Sequence, residues 1–223
     1  MAKEYSEDQL IQKATAELLE KELGWQSVYA YDSEVLGEQG TLGRKAQSEV
    51  VLTRHLRMAL KRLNTWMTDK QMTEAIERMT SYMSSQTLMQ INEEKYRYLR
   101  DGVPVTRLKP NGETEQVRAK VMDFANVDNN EFIVVRELWI KGPIHKRRAD
   151  VVCFVNGLPL VFIELKNHDQ DIQNAYTDNY RDYLDTIPHL FHHNAMIMLS
   201  NGMESRVGTV GAKWEFFHEW KRL

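Results

Sequence analysis

The run RRADVVCFVNGLPLVFIELK, residues 147–166, decides the fold. Between Asp150 and Glu164 it is almost wholly β-branched, aromatic or otherwise apolar, and it is broken in the middle by Asn156-Gly157. Val, Ile and Phe suit a pleated backbone, and Asn-Gly is the strongest short signal for a tight turn because both residues tolerate positive φ. The run therefore predicts two adjacent antiparallel strands. In the second, Leu160, Phe162, Glu164 and Lys166 share one face, while Val161, Ile163 and Leu165 point the other way. Both faces stay apolar until Glu164, as in a strand interior to a sheet, so the charges at its end belong to a cleft.

The polar residues that frame this hairpin have a recognisable chemistry. Hydrolysis of a phosphodiester needs a hard cation, which takes oxygen ligands from carboxylates and backbone carbonyls. Asp150 and Glu164 offer the carboxylates, Leu165 a carbonyl, and Lys166, about 7 Å from Glu164 along the strand, a cation for the water or the phosphate. On residue types alone, a strand-end Glu and Lys with a turn Asp would serve equally well as solvated charges. Register separates the two readings. If Asn156-Gly157 closed a regular two-residue hairpin, Asp150 would face Ile163 and point away from Glu164. Convergence requires Asp150 opposite Glu164, and hence a three- or five-residue loop or a bulge. Pro159, which cannot donate to a ladder, predicts that the loop extends past the Asn-Gly pair. Lys146, Arg147 and Arg148 lead directly into Asp150 and are candidates to hold a DNA phosphate, or else form a solvated turn.

Outward from the hairpin, the amino-terminal half is helical. Ser6 and Gln9 fit a capping box, and Leu10, Ile11, Ala14, Leu18 and Leu19 predict an amphipathic helix over about 7–22. A short strand follows at Trp25 to Tyr31, and Gly37, Gly40 and Gly43 mark a surface loop. Helices are predicted from Ser48 to Leu63, from Asp69 to Met83 and from Thr87 to Leu99, the second carrying Met72, Met79 and Met83, which read as core filling. After Gly102 the period changes. Strands are expected at Val103–Leu108, Gln116–Phe124, Phe132–Ile140 and Ala195–Leu199, with a helix near Gln170–Leu184 and a terminal helical stretch around Trp214–Lys221. The expectation is an α/β fold with a mixed central sheet flanked by helices, in a single domain over 1–223 comprising a helical decoration (about 48–99) and a core (about 103–200).

Composition sets wider limits. With 29 Lys and Arg against 32 Asp and Glu, the formal charge of −3 argues against a protein that coats nucleic acid, so any DNA contact must come from a local basic face. The single Cys153 excludes an internal disulfide and reads as core. No apolar run approaches the roughly 20 residues of a membrane span, and the first residues carry no signal-peptide core, so the cytoplasm is the expected compartment and no membrane partner is expected. His189, His192 and His193 lie beside Pro188 without a cysteine nearby, a poor zinc set.

RRADVVCFVNGLPLVFIELKN resembles the nuclease core of the R subunit of type I restriction endonucleases, the HsdR family, within the PD-(D/E)xK superfamily. The blocks YSEDQLIQKATAELLEKELGW, SEVVLTRHLRMALKRLN, NEEKYRYLRDGV, DNNEFIVVRELWIKG, DTIPHLFHHNAMIMLSNG and WEFFHEWKRL resemble the same amino-terminal domain in the same order. The resemblance implies that Asp150, Glu164 and Lys166 are catalytic, that Asp150, Glu164 and the Leu165 carbonyl hold Mg2+, and that duplex DNA is the substrate. The superfamily's usual Pro before the aspartate is Ala149 here. Its Gln-x-x-x-Tyr motif on the next helix corresponds to Asn179 and Tyr183, candidate DNA contacts with the amide on a shorter stem. An acid from the first helix joins some members' sites, for which Glu17 and Glu20 are the candidates. The family further implies that the chain is the amino-terminal part of a longer subunit, with ATP-driven motor domains following it and specificity and methyltransferase subunits as partners. No GxxxxGK[ST] phosphate loop occurs in these residues, so ATP is not assigned to them, and Gly37 to Gly43 reads as a loop. Two alternatives stand beside this: a catalytically silent docking domain of the R subunit, and a stand-alone DNA repair nuclease.

Overall fold

The computed structural model describes residues 7–221, and side chains from Ile11 to Lys221. The capping box expected of Ser6 and Gln9 lies outside the described residues. The elements are α1 (Glu7–Leu23), β1 (Gln26–Tyr29), α2 (Thr53–Leu63), α3 (Asp69–Thr80), α4 (Leu88–Asp101), β2 (Val103–Leu108), β3 (Thr114–Ala119), β4 (Phe132–Lys141), β5 (Lys146–Val155), β6 (Leu158–Leu165), α5 (Arg181–Thr186), β7 (Met196–Ser200), β8 (Ser205–Gly208) and β9 (His218–Glu219). Seven strands form one mixed sheet in the order β1-β4-β5-β6-β7-β8-β9, and β2 with β3 form a separate hairpin. β1 runs parallel to β4 and β6 parallel to β7, while the remaining neighbours are antiparallel. The α/β class, the mixed sheet and the extra helices are as the sequence predicts.

Each sheet face buries a different partner. Val134, Val151, Cys153, Ile163 and Leu165 pack against Ala16 of α1, with Ile11 and Leu19 at the margin. On the opposite face, Ile133, Val135, Val152, Phe154 and Phe162 meet Leu56 and Leu60 of α2, Met79 of α3 and Tyr183 of α5. Burial of each such side chain contributes about 1.5–3 kcal/mol. α3 and α4 begin at Thr68 and Thr87 with complete capping boxes to Gln71 and Gln90, which satisfy two of the backbone N–H groups that a helix start otherwise leaves open.

Several boundaries differ from the sequence reading. α2 begins at Thr53, because residues 46–51 form turns and extended chain on which Leu52 N donates to Gly157 O at 2.8 Å. β3 ends at Ala119, where Lys120 N turns to Asn64 Oδ1. The helix expected over 170–184 is a π-helical stretch, Ala175–Tyr180, running into α5. The helix expected at Trp214–Lys221 is instead a single 3-10 turn (Trp214–Phe216) and the edge strand β9. Trp214 packs at a tilt on Tyr176 and Phe217 packs edge-on against Tyr176 and Tyr180, and these aromatic contacts override helical propensity.

Candidate active site

Two irregularities in neighbouring strands bring the polar residues together. The Asn156-Gly157 turn is the simple two-residue hairpin, with φ of 51° and 80° at its two residues. Val155 pairs with Leu158 and Phe154 with Pro159 accordingly. The expected longer loop is therefore absent, and Pro159 sits in the strand. The next pair, however, is Cys153 with Val161, so Leu160 is an extra residue on β6, a β-bulge. The shifted register, continued past Val151 and Ile163, sets Asp150 opposite Glu164. The convergence requirement is met by the bulge.

The second irregularity was invisible in the sequence. Arg136 pairs with Val151 and Leu138 with Ala149, which leaves Glu137 on β4 opposite Asp150 without a ladder pair. Glu137 has φ of 58°, a left-handed conformation costing a non-glycine residue about 1–3 kcal/mol that the surrounding packing must hold in place. Here the strands switch faces: Val134 and Val151 lie under α1, whereas Leu138 and Ala149 belong to the opposite core. Trp139 and Arg148, which pair with each other, consequently emerge on the α1 side.

Asp150 is held at both oxygens. Gln12 Nε2 of α1 donates to Oδ1 at 2.9 Å, and Leu165 N donates to Oδ2 at 2.9 Å. Burial pushes its pKa up to about 7, against the Leu165 N–H bond and the charges of Arg148 and Lys166, with the Glu137 charge adding to the rise. Glu164 is only 1% exposed, and burial, followed by the charge of Asp150, pushes its pKa well above the usual carboxylate range. Its Oε2 is buried without a hydrogen-bond partner. Glu137, also 1% exposed, lies 2.9 Å from Arg148 Nε, and neither of its oxygens accepts an aligned hydrogen bond. Lys166 Nζ donates to Asn179 Oδ1 at 2.6 Å. Tyr183 OH, its pKa raised by burial, donates to Arg148 O at 2.8 Å.

Asp150, Glu164, Leu165, Lys166, Asn179 and Tyr183 thus lie together beside the end of β6, next to the π-helical turn and α5. Arg147 turns aside into an ion pair with Asp182, two of whose atoms are 2.9 Å apart. Glu17 and Glu20, the first-helix acids anticipated from the sequence, do not enter the cleft: both are exposed or nearly so, and Glu17 pairs with Lys13 and Lys21. The α1 residue in the site is Gln12, one turn before the buried Ala16, a polar side chain on the apolar stripe that periodicity alone could have flagged. Glu137 is a similar case, an acid inside the apolar run FIVVRELWI. The histidines are internal: His193 Nε2 lies 2.8 Å from Met79 O, and burial pushes it down to about 3 and His192 down to about 4.

A divalent cation suits these residues. Two carboxylates opposed in register, Glu164 fully buried with an orphaned oxygen and Asp150 half-buried, favour a proton or a cation between them at neutral pH. Among the described residues no group of three or more His, Cys, Asp and Glu side chains is placed to hold a metal ion. A cation at Asp150 and Glu164 would draw its other ligands from backbone carbonyl and water, the open coordination typical of Mg2+.

Similarity to known proteins shows the family of the chain. Residues 4–216 match the family described as Type I restriction enzyme R protein N terminus. The type I restriction enzyme HindI endonuclease subunit of Haemophilus influenzae is 32% identical over 215 residues, which cover 95% of this chain and 20% of that protein. A relative from Methanocaldococcus jannaschii is 27% identical over 225 residues, 99% of this chain and 21% of its own length. The type I restriction enzyme SauMSSORF170P endonuclease subunit of Staphylococcus aureus is 27% identical over 189 residues, 82% of this chain and 19% of its own. The chain thus spans about a fifth of the length of these relatives. With a match over nearly its whole length, the chain belongs to the family of the type I restriction enzyme R protein N terminus.

Proposed function

We propose that this chain is a PD-(D/E)xK nuclease domain of a restriction R subunit, hydrolysing phosphodiesters of duplex DNA with Mg2+ as cofactor. The observation that carries the reading is the bulge at Leu160, which costs ladder pairing yet sets Asp150 against the buried, partly unpartnered carboxylate of Glu164. Asp150, Glu164 and the Leu165 carbonyl would hold the ion. When bound, it supplies charge neutralisation at the phosphate and a lowered pKa for a water ligand.

The protein's own groups do the rest. Gln12 and the Leu165 N–H fix the Asp150 carboxylate while leaving it lone pairs for a cation, since an ionised carboxylate has about four acceptor positions. Asn179 aims the Lys166 ammonium along the cleft, where it donates to the attacking water or a non-bridging phosphate oxygen. Tyr183 and Asn179 line the wall that the DNA backbone meets, and Arg148 stands at the mouth. Arg147 reaches phosphate only by exchanging its Asp182 partner. ATP-driven motor domains of the same subunit and the specificity and methyltransferase subunits are the proposed partners. The cytoplasm is the proposed compartment. No helix among the described residues is long and apolar enough to cross a membrane.

Titration with Mn2+ followed by electron paramagnetic resonance tests the site directly. Binding of one ion that is lost in both Asp150→Asn and Glu164→Gln is expected. Absence of binding at millimolar Mn2+ refutes the nuclease reading in favour of a silent docking domain. In the reconstituted restriction complex, Lys166→Ala should abolish cleavage and leave ATP hydrolysis intact.

A further inference from the structure

The face switch at Glu137 and Asp150 builds a second feature beside the cleft. On the α1 side of the sheet, at its β1 edge, three rings and three cations interleave. Arg136 Cζ lies 5.0 Å from the Tyr29 ring centroid. Tyr29 and Tyr31 stack at 6.3 Å with 29° between their planes, and Tyr31 and Trp139 at 6.2 Å with 27°. Arg148 Cζ lies 5.1 Å from the Tyr31 ring and 5.8 Å from that of Trp139, and Lys146 Nζ lies 4.2 Å from Trp139. The ladder runs from Arg136 to Lys146 and passes two residues from Asp150.

It is both rigid and open. Trp139 Nε1 donates to Tyr31 O at 3.1 Å, and the fully buried Arg44 clamps Trp139 O at 3.0 Å while pairing with Glu34. Tyr31 is nevertheless 36% exposed, Lys146 is exposed and Arg148 is half-buried. β1 is the first strand of the sheet, so among the described residues no further strand covers this end. Glu137, an acid next to it, is neutralised by Arg148. In a chain of net charge −3, this is a local basic face carrying aromatic planes.

We infer that the ladder binds an unpaired stretch of DNA strand beside the scissile phosphate. Duplex DNA presents phosphates and groove edges but hides its base faces, so it could use the cations and not the rings. A single strand uses both, with phosphates on Arg136 and Lys146 and with bases on the exposed side of Tyr31 and on the Trp139 face that Lys146 uncovers as it moves from the ring to a phosphate, while Arg148 stays with Glu137. This site deepens the nuclease reading and rests on it for the identity of the nucleic acid. A strand opened ahead of the cleft would be gripped here while its phosphate meets Asp150, Glu164 and Lys166.

Fluorescence anisotropy of the chain with labelled dT12 and with a blunt 12-base-pair duplex, in EDTA and low salt, tests this without any chemistry. Tighter binding of dT12 than of duplex is expected. Tyr31→Ala should weaken dT12 binding about tenfold, from the size of one base–aromatic stack, and leave duplex binding within twofold. Tyr31→Phe should restore it, and dT12 should quench Trp139 emission in the wild type. Tyr31→Ala removes a side chain at the surface, and an unchanged circular dichroism melt excludes misfolding. Equal affinity of wild type and Tyr31→Ala for dT12, or no binding of dT12 at all, overturns the inference. Because cleavage is read separately through Lys166→Ala, loss of the ladder alone leaves the nuclease reading standing, and ladder binding without metal uptake overturns the nuclease reading alone.

Discussion

Replacing Asp150 by Asn should make the metal-free protein more stable at alkaline pH. In the fold the Asp150 pKa is about 7, raised by burial from an ordinary 3.8. Between those two values the native state keeps a proton that the unfolded chain releases, so stability falls as pH rises through this window and stays low above it. At 1.36 kcal/mol per unit, a shift of about three units sets an upper bound of about 4 kcal/mol. Asp150 is half-buried, and solvent screening reduces this to about 1–2 kcal/mol. The variant keeps the contacts: the new amide oxygen accepts from Leu165 N, and the Gln12 amide can flip to accept from the new amide nitrogen. Urea denaturation in EDTA at pH 4 and pH 8 measures the difference between variant and wild type, which cancels the other titrating groups. The expected gain is about 1–2 kcal/mol at pH 8 and near zero at pH 4. A variant that is less stable at pH 8, or a difference independent of pH, would refute the claim that burial burdens this carboxylate. Added Mg2+ should reverse the order by stabilising the wild type alone.

Three other substitutions probe the scaffold and the cleft. Gly157→Ala places a Cβ 2.4 Å from Leu52 O at a residue with φ of 80°, and should cost about 2–4 kcal/mol in thermal or urea unfolding. A loss below 1 kcal/mol would show that the α2 start does not depend on this turn. Lys95, 1% exposed, donates to Arg78 O at 2.7 Å, Ser81 O at 2.6 Å and Glu94 Oε1 at 3.0 Å. Lys95→Met leaves two carbonyls and Glu94 Oε1 without this donor and should lower stability by about 2–4 kcal/mol, with an unchanged urea midpoint as the contrary result. Asn179→Ala releases Lys166 Nζ, and under the nuclease reading cleavage by the reconstituted complex should fall by about 10²-fold, the scale of one lost charge-stabilising contact. Cleavage at the wild-type rate would remove Asn179 from the positioning of Lys166.

The residues of 147–166 determined by themselves that two interior antiparallel strands meet at Asn156-Gly157, and that Glu164 and Lys166 share a face with Leu160 and Phe162. Local chemistry suffices there: β-branched residues pleat, Asn and Gly accept positive φ, and side chains alternate. The helices α3 and α4 were legible for the same reason, in period and in the Thr-x-x-Gln caps. Tertiary structure decided everything that depends on how strands slide and what lies across them. The bulge at Leu160, not a longer loop, sets Asp150 against Glu164, because both strand faces are apolar and only the packing of α1 on one and α2 and α5 on the other fixes the register. The left-handed Glu137 and the resulting face switch have no local signature, since packing holds a conformation the isolated strand disfavours. Gln12 reaches Asp150 over a separation of 138 residues, and the carboxyl-terminal aromatics abandon a helix to pack against Tyr176 and Tyr180. The sequence named Asp150, Glu164 and Lys166, and the sheet's irregular register set Asp150 opposite Glu164 and brought Glu137 beside them.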